Sequence, residues 1–78
     1  MNITDLNKFD EAVIVAFNGI GKEFRSRLMD MGIYENAHVV LLNKLSFGSL
    51  YLIEVDEIEI CMRKEDALKI EVQKWFFY

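Results

Sequence analysis

The 78-residue chain has no proline, one cysteine (Cys61), one histidine (His38) and only four glycines. A single thiol excludes the disulfide framework on which small secreted domains depend, and it suits a reducing compartment. With one Cys and one His there is no paired metal motif, and no glycine-rich phosphate cradle is present. No apolar run reaches the roughly 18 residues that a membrane span requires. The opening MNITDLNKFDEA has neither the basic leader nor the apolar centre of a signal peptide. Basic charge is scarce too. Thirteen acidic residues oppose nine basic ones, a net charge of −4, whereas a nucleic-acid surface needs clustered Lys and Arg against phosphate. His38 lies a whole predicted strand away from Ser46 and Ser49, so no nucleophile has a base beside it. These absences point to a cytoplasmic, non-enzymatic, single-domain protein with no nucleic-acid partner.

What the chain does have is apolar surface: 53% of its residues are hydrophobic and 13% aromatic. A domain this small buries only about 60% of its unfolded surface, so a rich core compensates for size. Ala12–Phe17 (AVIVAF) is a β-branched apolar run that reads as a buried strand, and Asn18–Gly21 (NGIG) is a turn. Phe24, Leu28 and Met31 recur at helical spacing, predicting an amphipathic helix over Lys22–Met31. Gly32 follows where a helix stop takes a left-handed residue, and Ile33 falls at that stop's apolar contact.

Further strands are expected at His38–Leu45, Tyr51–Val55, Ile58–Met62 and Lys69–Lys74. Ser46–Ser49 forms the loop between the first two, Asp56-Glu57 a tight hairpin without glycine, and Arg63–Asp66 a charged turn. Alternation turns Val39, Leu41, Ile53, Ile58, Ile60 and Met62 inward, leaving Val40, Leu42, Leu52 and Cys61 outward. Five strands with one inserted helix predict a small, partly open antiparallel β-barrel.

Two surfaces are candidates for partners. One is the helix, with Arg25, Arg27 and Met29 beside Asp30, read as a compact basic pair next to a flexible apolar side chain. The other is the outward Val40, Leu42 and Leu52 patch, which either meets a partner or lies under another part of the chain. His38, Glu54, Glu59 and Cys61 are the metal candidates, with Fe(II) or another divalent transition metal as the ion. The competing reading makes His38 a strand-edge residue and Cys61 a small hydrophobe, with no resident cofactor. The aromatic end Trp75–Tyr78 either packs back on the barrel, supports self-association or touches a membrane-facing partner.

Several stretches carry a family resemblance: ITDL at Ile3–Leu6, AVIV at Ala12–Val15, and Arg27-Leu28 followed by Met31-Gly32-Ile33. VVLLNK at Val39–Lys44, Gly48, and Met62-Arg63 with Ala67, Ile70 and Val72 complete the set. In that order they resemble the FeoA family, and also the SH3-like C-terminal domain of DtxR-type metalloregulators. The resemblance covers Ile3 to Val72. It implies an SH3-like barrel over 1–74, with 75–78 as an added aromatic tail. It also implies a non-enzymatic accessory role in bacterial ferrous iron uptake, through binding a FeoB-type membrane transporter with a cytoplasmic GTP-binding region. The domain itself would be cytoplasmic, recruited to the inner membrane face. The alternatives under the same resemblance are a stand-alone metal-responsive module or an iron-binding one. The chain departs from the family at turns. Lys8-Phe9 and Glu35-Asn36 stand where Pro-Gly is usual, and Glu57 stands where glycine is common.

Overall fold

The computed structural model describes residues 1–18 and 21–75. A 3₁₀ turn (Ile3–Asp5) leads into β1 (Glu11–Phe17), α1 (Lys22–Asp30) and β2 (His38–Leu45), and a second 3₁₀ turn (Ser46–Gly48) leads into β3 (Leu50–Val55). β4 (Ile58–Arg63), a one-turn helix α2 (Lys64–Ala67) and β5 (Ile70–Lys74) complete the chain. All strands pair antiparallel in the order β4-β3-β2-β1-β5. Register shifts between Ile14 and Ala16 in β1, and between Leu41 and Asn43 in β2, mark bulges that bend the sheet. β4 and β5 form its two ends, so the barrel stays partly open.

Alternation fills the interior as the sequence suggests. Ile14, Val39, Leu41, Ile53, Val55 and Ile70 are fully or almost fully buried, with Ile60, Met62 and Val72 nearly so. Ile58 is the exception. It is 58% exposed although it shares the inward phase of Ile60 and Met62. It opens the edge strand β4 at the hairpin end, so it has no strand beyond it, whereas its partner Val55 is flanked by Val39 of β2 and buried. The charged segment after β4 is helical rather than a plain turn, and its Ala67 is buried.

Helix α1 ends as the sequence predicts. Gly32 has φ +90°; its amide donates to the Met29 carbonyl (3.0 Å), and the Ile33 amide donates to the Leu28 carbonyl (2.8 Å). These two bonds make a Schellman stop, and its apolar pair, Leu28 and Ile33, is buried. The predicted apolar stripe is narrower than expected. Leu28 is buried and Phe24 packs partly against the core, but Met31, at the helix cap, is 40% exposed.

The three family turn glycines missing here prove to be positions of positive φ: Phe9 (69°), Asn36 (74°) and Glu57 (68°). Asp56 (51°) and Glu57 together form a two-residue hairpin turn of the type that Asn-Gly normally supplies.

Candidate functional site

A concavity of about 390 Å³ lies between α1, the end of β1 and Tyr34-Glu35. The Schellman stop reverses the chain so that Tyr34 and Glu35 return alongside the helix. Arg25 then reaches Glu35, its guanidinium 2.8 Å from Oε1, while stacking 5.8 Å from the Phe17 ring centroid. Lys22 and Met29 complete the rim, and Met29 is 66% exposed. The Tyr34 hydroxyl donates to the Asp56 carboxylate at the strained β3–β4 turn, which fixes the ring. That bond holds the Tyr34 pKa above the ordinary tyrosine value, with partial burial and the Asp56 charge adding to it. The result is an apolar, aromatic hollow rimmed by cations, one of them internally paired.

A raised folded pKa means the Tyr34 contribution is present below the unfolded tyrosine pKa and is lost as alkali deprotonates the phenol. Absorbance titration in alkali should therefore show Tyr34 ionising at higher pH than a free tyrosine, and Asp56→Asn should return it toward the ordinary value.

Arg25 and Met29 meet in this cavity, but Arg27 does not join them. Two positions apart on a helix, Arg25 and Arg27 project to opposite sides, so the compact basic pair expected from sequence does not exist. Arg27 instead stacks 5.6 Å from the Phe24 ring, beside a smaller crevice that also meets Met31, Cys61 and Arg63. Asp30 is exposed at the C-terminal end of α1. Val40, Leu42 and Leu52 lie half-buried on the outer face of the sheet. At that face the Trp75 amide donates to the Glu11 carbonyl (3.0 Å), and its ring meets His38 edge-on at 5.4 Å. The tail thus starts back along the barrel; 76–78 lie outside the described residues.

The metal candidates are dispersed. His38 Nε2 is 3.2 Å from Glu11 Oε1 without aligning as a hydrogen bond. Glu54 faces Glu59 across β3–β4, and exposed Cys61 faces Leu52. Among the described residues, no three His, Cys, Asp or Glu side chains are placed to hold a metal ion. Phe17, Lys22, Tyr34 and Glu35 were not legible as site residues. Only the predicted helix stop hinted that the next residues return toward the helix.

The family model for the FeoA domain matches residues 1–74. The chain belongs to the FeoA family. An Fe(2+) transport protein A/Fe(2+) transporter FeoB fusion protein of Porphyromonas gingivalis is 30% identical over 73 residues. That match covers 94% of this FeoA chain but 8% of the fusion protein. The Chlorobium tepidum FeoA structure superposes with a TM-score of 0.86 at 24% identity, covering 95% of this chain and 70% of that one. A zinc-complexed FeoA of Stenotrophomonas maltophilia, described as a prokaryotic SH3 domain protein, superposes at 0.77 with 20% identity. It covers 94% of this chain and 89% of that one. The five-stranded sheet is therefore an SH3-like FeoA barrel, as the sequence suggested. No helix among the described residues is long and apolar enough to cross a membrane.

Proposed function

We propose that this FeoA domain is a non-catalytic accessory module of ferrous iron uptake. It docks on the cytoplasmic GTP-binding region of a FeoB-type transporter through the cavity between α1 and Tyr34-Glu35. The observation that carries the reading is the fusion relative, which holds an FeoA part and an FeoB transporter in one polypeptide. Two modules kept in one chain act on each other at high effective concentration, which supports the same kind of partner for this FeoA domain. The cavity has suitable chemistry. Phe17, Tyr34 and exposed Met29 offer apolar contact, and Arg25 can exchange Glu35 for a partner carboxylate. Binding at that region places the domain in the cytoplasm, recruited to the inner face of the membrane.

The double variant Arg25→Glu/Met29→Ala should leave folding nearly intact, because an exposed ion pair contributes only about 0.5 kcal/mol. Its affinity for the isolated GTP-binding domain should fall at least about tenfold, a loss of about 1.4 kcal/mol. Wild-type affinity in a folded double variant would remove the cavity from the interface.

The reading requires no resident metal, and the dispersed His38, Glu54, Glu59 and Cys61 fit one poorly. Anaerobic Fe(II) or Zn(II) calorimetry should give only weak, non-saturating heats. One tight stoichiometric site that disappears in Cys61→Ser would overturn this.

A further inference from the structure

The outer edge of β4 has no strand beside it among the described residues. The opposite edge, β5, is partly covered, since the Val72 amide donates to the Met1 carbonyl and Asn2 bridges Glu71. The polarity of the β4 edge follows from one bond, the Lys64 amide donating to the Ser49 carbonyl (2.9 Å). Antiparallel alternation from that point turns the backbone groups of Ile58, Ile60 and Met62 toward β3. The amides and carbonyls of Glu59, Cys61 and Arg63 then face outward, a row of unused pairing groups.

We propose that β4 pairs antiparallel with β4 of a second copy of this chain, across a two-fold axis at Cys61. In that register Glu59 of one copy lies opposite Arg63 of the other, twice, and Cys61 lies opposite Cys61. All three are outward-bonding positions, so each becomes a hydrogen-bonded pair. The register is specific. Slipping two residues one way sets Glu59 against Glu65; slipping two the other way leaves Glu59 opposite Cys61. The pairing also relieves a mismatch inside the monomer. Glu54 stands directly opposite Glu59, a like-charge cross-strand pair that the second copy's Arg63 neutralises. The pairing sets the two exposed Cys61 thiols side by side on the same face. Cys61 and Arg63 also line, with Phe24, Arg27, Leu28 and Met31, a crevice of about 170 Å³ between α1 and this edge.

Sedimentation velocity over a concentration series reaching millimolar protein tests the pairing. Wild-type protein should self-associate to a dimer. Glu59→Arg and Arg63→Glu, each folded by melt, should each weaken that dimer at least tenfold, because each sets like charges opposite. An equimolar mixture of the two single variants should form the heterodimer, and the Glu59→Arg/Arg63→Glu double variant should recover self-association. A short bismaleimide should cross-link the wild-type dimer through Cys61, the only thiol. A chain that stays monomeric, or a dimer indifferent to both charge reversals, would overturn the proposal. Loss of binding to the transporter's GTP-binding domain in Glu59→Arg, from a monomeric wild type, would assign the edge to that partner instead. Either result leaves the α1 cavity reading to stand or fall on its own variant.

Discussion

Gly32→Val should lower the stability of the domain by about 2 to 3 kcal/mol. A Cβ at Gly32 would meet nothing within 4 Å, so no steric contact contributes. The whole cost is conformational. At φ +90° a β-branched side chain is forced into backbone space that L-residues avoid. The alternative is to abandon the left-handed turn, which breaks both Schellman hydrogen bonds and pulls Ile33 away from Leu28. For a domain of this size the loss corresponds to a melting point lower by roughly 10 to 20 °C. Gly32→Ala, with the same open surroundings but no branch, should fall between the two. Calorimetric melts of the three proteins give the order directly. Equal melting points for Gly32→Val and wild type would mean that the helix stop contributes nothing.

The opposite change is expected at the turns. Phe9→Gly/Glu57→Gly should raise stability by about 1 to 2 kcal/mol, against the usual direction of mutation. Each residue holds positive φ, costing about 1 to 2 kcal/mol relative to glycine, and glycine's greater unfolded entropy returns part of that. Neither side chain offsets the strain by packing. Phe9 is 65% exposed, with the Lys8 ammonium 5.3 Å from its ring in a surface cation–π contact; Glu57 is exposed at the hairpin tip. Asn36→Gly is the control and should gain less, because Asn tolerates the left-handed region. A double variant that melts at or below the wild-type temperature would show that these side chains stabilise their turns in some other way.

The strands and the helix stop were legible because they depend on near neighbours. Alternation over Val39–Leu41 and Ile53–Val55, and a glycine one residue past the cap, act within a few residues. Ile58 was misread by the same logic. Its phase is inward, but it begins an edge strand, and phase carries no information about which strand has a neighbour on both sides. The Arg25–Arg27 pairing failed for a simpler reason: adjacency in sequence is divergence on a helix. The cavity was the least legible feature. Arg25 meets Glu35 ten residues on, and Tyr34 meets Asp56 twenty-two residues on, with no periodicity linking them. Such contacts exist only once the turn after α1 and the β3–β4 hairpin are both in place.

The strand order has a further consequence, for the path by which the chain folds. β2, β3 and β4 are consecutive neighbours joined by short turns, so their ladders close small loops and form early. β1 meets β5 across most of the chain, Ala12 against Lys74 and Phe17 against Ile70. That closure carries the largest chain-entropy cost in the domain and has nothing to dock on until the meander exists. The topology therefore predicts that the central meander forms first and that the joining of the two ends of the chain comes late, so substitutions in β3 should slow folding more than substitutions in β5.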